Sequence, residues 1–106
     1  MKIGIMIETR EPEKAWNGLR FAITAKKSGH ETRVFLMSEG VEVNQIDHPT
    51  YDAANKLQDY LNLGGELMAC GTCMESRGKE DGATCPMSSM LDFLQIVEWA
   101  DKTVTF

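Results

Sequence analysis

Cys70 and Cys73 form a Cys-x-x-Cys motif, Cys70-Gly71-Thr72-Cys73. Thiols at this spacing serve as nucleophiles, as a dithiol/disulfide couple, or as half of a metal site. Arg77 lies four residues after Cys73, so one helical turn brings its guanidinium toward that sulfur and favours the thiolate. A helix starting at Cys73 would add unpaired N–H groups to the same effect. Gly71 and Thr72 leave the loop open, which gives a reagent access to Cys73. Cys70, at the end of a strand, is expected to be more enclosed and less acidic. The plain alternative is that both cysteines are small buried hydrophobes. Two cysteines flanking Gly-Thr in a loop fill a core poorly, and the functional reading is preferred.

Zinc needs four ligands, and the chain offers Cys70, Cys73 and Cys85, with His30 and His48 distant in sequence. A ribbon-type site requires a second close pair, so neither a metal nor a cofactor is assigned. Thioredoxin-like proteins place their Cys-x-x-Cys at the start of an early helix, whereas here the motif follows most of the chain. That fold is disfavoured, while dithiol chemistry stays open. Cys85, before Pro86 in a polar loop, is either a passive thiol, the preferred reading, or a second sulfur near the site, and the histidines sit at turn positions with no assigned role.

The elements that must position this loop follow from hydrophobic period. Lys2 to Ile7 reads as a buried strand. Pro12 suits the first turn of a helix, and Ala15, Trp16, Leu19, Ala22 and Ile23 then recur at helical spacing up to Lys27. Thr32 to Met37 is a second strand. Gly40 to Thr50 is a connection with an extended piece, Val41-Glu42-Val43. A helix from Tyr51 to Asn62, with Ala53, Ala54, Leu57, Tyr60 and Leu61 as its apolar stripe, ends at Gly64-Gly65. Glu66 to Cys70 is a third strand, running into the cysteine loop and a short helical turn that stops at Gly78. Lys79 to Thr84 is a polar loop. Ser88 or Ser89 caps a last helix carrying Met90, Leu91, Phe93, Leu94 and Val97, and Thr103 to Phe106 is a terminal strand. Strands alternating with helices predict a three-layer α/β architecture, with a mostly parallel open sheet and helices on both faces. The cysteine loop then falls at the carboxyl end of a strand, where such sheets gather ligands.

The chain has 106 residues, 42% of them apolar, and a formal charge of −5. That length is one domain, residues 1–106, and it buries about two-thirds of the unfolded surface. The acidic balance, with no basic run beyond Lys26-Lys27, disfavours nucleic acid and anionic membranes as partners. No apolar run is long enough to span a bilayer, and the start of the chain lacks the pattern of a signal peptide. A soluble, cytoplasmic protein is expected. Neither phosphate-loop pattern follows Gly64-Gly65.

Three stretches resemble the DsrE/DsrF-like family, and most of all its YchN-like branch. They are Gly18-Leu19-Arg20-Phe21-Ala22-Ile23, then Arg33-Val34-Phe35-Leu36-Met37-Ser38-Glu39-Gly40-Val41, and Cys70-Gly71-Thr72-Cys73-Met74-Glu75-Ser76-Arg77-Gly78. The ending Ala100-Asp101-Lys102-Thr103-Val104-Thr105-Phe106 fits as well. The resemblance covers nearly the whole chain, and the cysteine loop is its most specific part. It implies a flavodoxin-like layered fold and homo-oligomers, commonly trimers or hexamers. It also implies handling of sulfane sulfur as a cysteine persulfide, as the family does in sulfur oxidation and tRNA thiolation. Cys73, followed by Arg77-Gly78, matches the carrier position. Cys70 is extra relative to single-cysteine relay members, and the YchN-like branch shares the pair. The expected partners are copies of the chain itself and sulfur donor and acceptor proteins or thiols. Two other readings stay beside this one: a dithiol redox protein using Cys70 and Cys73, and a non-catalytic oligomeric binding module.

Overall fold

The Ile-rich start of the chain forms β1, Lys2–Ile7, in which every residue after Lys2 is buried, as a strand covered on both faces requires. The computed structural model describes residues 1–79 and 86–106. Helix α1, Pro12–Lys27, opens with Pro12 at its first position, and the Glu11 carboxylate accepts the N–H groups of Glu13 and Lys14. Its buried stripe is Ala15, Gly18, Leu19, Ala22 and Ala25. Strand β2, Glu31–Leu36, follows.

The next segment departs from expectation. Residues Ser38–Gln45 form a 3-10 helix rather than an extended piece. The carbonyl of Ile7, at the end of β1, accepts the Met37 N–H at 3.1 Å. The chain then turns so tightly over that strand end that a Cβ on Gly40 would lie 1.9 Å from the same Ile7 oxygen. Val41 and Val43 both drop into the core from this turn. The alternation of Val41-Glu42-Val43 imitates a strand but serves a buried connection.

Helix α2, Ala53–Asn62, is capped by the Asp52 carboxylate, and Gly64 ends it at φ +79. Strand β3, Glu66–Cys70, leads directly into α3, Gly71–Glu75. Strand β4, Met87–Ser88, is too short to leave a periodic signal. Helix α4, Met90–Trp99, is capped by Ser89 in a capping box with Asp92. Strand β5, Lys102–Thr105, lies one residue earlier than expected. The sheet order is β4-β3-β2-β1-β5, and every pairing is parallel.

Strand alternation divides the core in two. Ile3, Ile5, Ile7, Val34, Leu36, Leu67 and Ala69 face α1 and α2, where Leu19, Leu57 and Tyr60 complete a large cluster. Met6, Phe35 and Cys70 join Ile96 of α4 in a smaller one, with Met37, Met68, Cys73 and Phe93 packed against it. On α4, Met90, Leu91, Leu94 and Val97 do not enter the core as their spacing suggested; they are 56%, 62%, 52% and 44% exposed. The short helix rests on the sheet through Ile96 and Phe93, and the rest of its apolar surface faces outward. Among the described residues, no helix is long and apolar enough to cross a membrane.

Candidate functional site

Cys70 is the last residue of β3, paired with Ser88 of β4 and 4% exposed. It is also the residue that caps α3. The helix therefore begins at Gly71 and not at Cys73, which corrects the expected helix start by two residues and puts Cys73 in the first turn. The local reason is that Cys70 keeps the extended backbone of its strand, φ −62 and ψ 115, so helical geometry starts immediately after it. Burial pushes the Cys70 thiol up. The N–H groups of Cys73 and Thr72 pull the other way, and a hydrogen bond with the Cys73 side chain and its charge add to the rise. Cys70 is thus enclosed, and its thiol is less acidic than an ordinary cysteine's.

Cys73 is half-buried and packs against both clusters of the core. Its sulfur accepts the backbone N–H of Ser38 at 3.3 Å. Ser38 has φ +53, a left-handed conformation that costs a residue with a Cβ about 1–2 kcal/mol. Among the described residues it is the sole non-glycine in that region. Both cysteines are free. Of the two residues between them, Thr72 is exposed and Gly71 half-buried. A Cβ on Gly71 would come 3.3 Å from the Ser88 carbonyl oxygen, which keeps this corner of the turn close to β4.

Arg77 does lie one turn beyond Cys73, but its guanidinium is engaged elsewhere than the expected sulfur. Nη1 donates to the Cys73 carbonyl oxygen at 3.1 Å and to Ser76 Oγ at 3.2 Å, and Nε is 3.5 Å from Glu42 Oε1. The carbonyls at the end of a single-turn helix lack backbone partners; that of Cys73 accepts Ser76 Oγ at 2.9 Å, and Arg77 is its second donor. Glu42, from the 3-10 segment, also takes Arg10 Nη1 at 2.9 Å on its other oxygen. The segment therefore grips the cysteine turn twice, by an N–H on the Cys73 sulfur and by a carboxylate on Arg77. Arg10, Glu42, Pro12, Gln45, Ile46 and Asp47 line an adjoining cleft of about 230 Å³.

Ser38, Glu42 and Arg10 were not legible as site residues. Ser38 stands 35 positions before Cys73 and contributes a backbone atom, which no side-chain pattern encodes. Cys85 lies outside the described residues. His30 and His48 serve locally: Nδ1 of His30 meets the N-terminal amine at 2.9 Å, and Nδ1 of His48 accepts the N–H groups of Thr50 and Tyr51.

The profile of the DsrE/DsrF-like family matches residues 1–106. An uncharacterized protein of Methanocaldococcus jannaschii is 33% identical over 115 residues, covering 100% of both chains. A second uncharacterized protein, from Methanopyrus kandleri, is 32% identical over 102 residues, covering 89% of this chain and 83% of its own. Among solved structures, the crystal structure of the ychN protein from E. coli superposes with a TM-score of 0.84, at 24% identity and with full coverage of both chains. At that identity the likeness speaks to the fold.

Proposed function

The chain belongs to the DsrE/DsrF-like family, a family associated with sulfur relay, and from that premise we propose that it carries sulfane sulfur as a persulfide on Cys73. The observation that supports this best is the contrast between its two thiols. Cys73 is reachable and its sulfur receives the Ser38 N–H, whereas Cys70 is buried, and burial pushes its thiol up. In the loading step the Cys73 thiolate attacks the outer sulfur of a donor persulfide, R–S–SH. The donor S–S bond breaks, a new one forms as Cys73–S–SH, and the donor leaves as R–S⁻. Discharge is the same exchange in reverse, with an acceptor thiolate attacking the outer sulfur. The donor and acceptor are proteins or small thiols, and a cytoplasmic location suits this chemistry, since thiols stay reduced there.

A second reading, dithiol/disulfide exchange, rests on the Cys-x-x-Cys spacing and on both thiols being free. In that reading the two thiols exchange with a partner disulfide, which leaves as its dithiol, and no sulfane sulfur is carried. In the carrier reading Cys70 is instead the resolving thiol, whose attack on the inner sulfur of Cys73–S–SH releases H₂S and leaves a Cys70–Cys73 disulfide. We also propose that the chain assembles with copies of itself, as a trimer or hexamer, through the exposed apolar face of α4. Four large apolar residues on one ten-residue helix favour a covered surface.

Intact mass after incubation with a small-molecule persulfide donor tests the carrier reading. Wild-type protein should gain one sulfur atom, Cys73→Ser should gain none, and Cys70→Ser should gain it and hold it longer. Loss of two hydrogens with no sulfur gained would favour the dithiol reading, and loading on Cys70 in Cys73→Ser would reverse the roles.

A further inference from the structure

Ser38 combines two observations that its sequence position does not explain. It adopts a left-handed backbone, φ +53, that side chains with a Cβ disfavour, and its N–H is aimed at the sulfur of Cys73 at 3.3 Å. The geometry on either side is tightly determined. Met37 donates to the Ile7 carbonyl at 3.1 Å, and Gly40 donates back to the Met37 carbonyl at 2.9 Å. Gly40 sits so close to the end of β1 that no side chain fits, and the fully buried Val41 and Val43 anchor the segment in the core. A donor fixed this way needs no reorganisation when charge appears on its partner. Strain held at one residue by its surroundings points toward function when the strained group faces a reactive atom.

We propose that the backbone N–H of Ser38 is the anion-stabilising group of this site, binding the charge on Cys73 Sγ. The proposal rests on Cys73 as the working thiol and adds a catalytic contact to it. Sγ carries the negative charge as the attacking thiolate before loading. It regains that charge as the leaving thiolate when an acceptor takes the outer sulfur from Cys73–S–SH. One fixed donor serves both directions, because both pass charge through the same atom. Arg77, bound to the Cys73 carbonyl and Glu42, then acts as a positioning residue that holds the turn against the 3-10 segment. The serine hydroxyl has no part in this, so the role belongs to the backbone.

Two measurements test it. In the first, the Ser38 amide proton is followed by NMR across the range where thiols ionise, around pH 8.5, in wild type and in Cys73→Ala. A downfield shift in wild type that is missing in Cys73→Ala is expected; an amide that ignores Cys73 ionisation overturns the proposal. In the second, an α-hydroxy acid replaces Ser38, turning its N–H into an ester oxygen, by semisynthesis joined at Cys70. Hydrogen bonds to charged groups at this strength predict loading and discharge slowed by about tenfold to a hundredfold. The pH profile of Cys73 alkylation, read by peptide mass, should move upward by about one unit. Ser38→Gly, which keeps the N–H, should match wild type in all three. An ester variant that loads like wild type, or a Ser38→Gly variant that fails to load, overturns the proposal. If the ester protein does not fold, the NMR arm decides alone. Wild type that never gains sulfur, while Ser38 still reports Cys73 ionisation, removes the carrier reading and leaves the thiolate contact standing.

Discussion

The two faces of the sheet are built differently. Toward α1 and α2 the strands present Ile3, Ile5, Ile7, Val34 and Leu36, all buried, and two helices cover them completely. Toward α4 they present Met6, Phe35, Met68 and Cys70, a sulfur- and ring-lined surface with Phe35 stacked on Phe93 at 4.9 Å. Among the described residues one ten-residue helix covers it, with one buried side chain, Ile96. The first face holds the larger core cluster and the second holds Cys70, while Cys73 packs against both. A thiol on the first face would be sealed beneath two helices. On the second, Cys70 is buried at the rim while Cys73, one turn on, remains reachable.

The largest effect that sharpens this contrast belongs to the first face. Leu57 of α2 is 1% exposed, and Leu57→Ala should cost about 2–5 kcal/mol through lost burial and a residual cavity. Urea unfolding checks it, and a cost below about 1 kcal/mol would show that the helix layer repacks freely. Cys73 should keep its reactivity in this variant below the unfolding transition, because the cavity lies beside α2 and not beside the cysteine turn.

Next comes Tyr60, buried on the same face. Its hydroxyl donates to the Glu66 carbonyl at 2.9 Å and pairs with Thr32 Oγ1 at 3.0 Å, so Thr32 must be the donor of that second bond. Burial pushes its ionisation up to about 12 from the ordinary 10.0. The folded protein therefore resists an ionisation that the unfolded chain accepts. Its contribution is complete below pH 10 and is lost as pH rises from there through 12, roughly 2–3 kcal/mol in all. Tyr60→Phe should be less stable at neutral pH by about 1–2 kcal/mol, and its stability should fall less steeply between pH 10 and 12. Parallel curves for the two proteins would remove this account.

These two residues also show what the sequence reveals. Leu57 and Tyr60 were expected on the buried stripe of their helix, because period and capping are local properties. The cysteine turn at the end of β3 was legible for the same reason. The 3-10 segment was not, since its shape follows from the Ile7 carbonyl, more than thirty residues away. Arg77 was placed one turn beyond Cys73, as its spacing required, but its hydrogen-bond partners were not legible. Spacing brings it within a turn of Cys73, and there its guanidinium is held by the Cys73 carbonyl and the Glu42 carboxylate. The outward face of α4 was not legible, because periodicity lists Met90, Leu91, Phe93, Leu94 and Val97 together without saying which of them meet the sheet.

A smaller effect on the fold, and a direct one on assembly, is expected at Leu94, which is 52% exposed. Covering such a side chain in a contact between copies contributes about 1.5–3 kcal/mol. Leu94→Glu should move sedimentation at micromolar concentration toward the monomer while leaving the circular dichroism of the chain unchanged. Wild type that already sediments as a monomer would contradict the proposed assembly, and the apolar face of α4 would need another occupant.

The smallest effect concerns how the thin layer is held at its start. Ser89 Oγ accepts the Asp92 N–H at 3.2 Å, while Asp92 Oδ2 accepts the Ser89 N–H at 2.7 Å and the Ser89 hydroxyl at 3.0 Å. These bonds satisfy N–H groups that the first turn would otherwise leave to solvent. Ser89→Ala should cost about 1 kcal/mol. The hydrogen bond from the Ser89 N–H, and then that from its hydroxyl, hold the Asp92 carboxyl below its ordinary value of 3.8. A lowered carboxyl stabilises the fold above its unfolded value, and that stabilisation disappears as pH falls through the folded one. Wild type should therefore lose stability on acidification more steeply than Asp92→Asn, with the difference confined to pH below about 4. Equal acid slopes would mean that the box orders α4 without drawing on the charge. A loss well above 1 kcal/mol in Ser89→Ala would mean that the thin face depends on its cap as heavily as the thick face depends on its core.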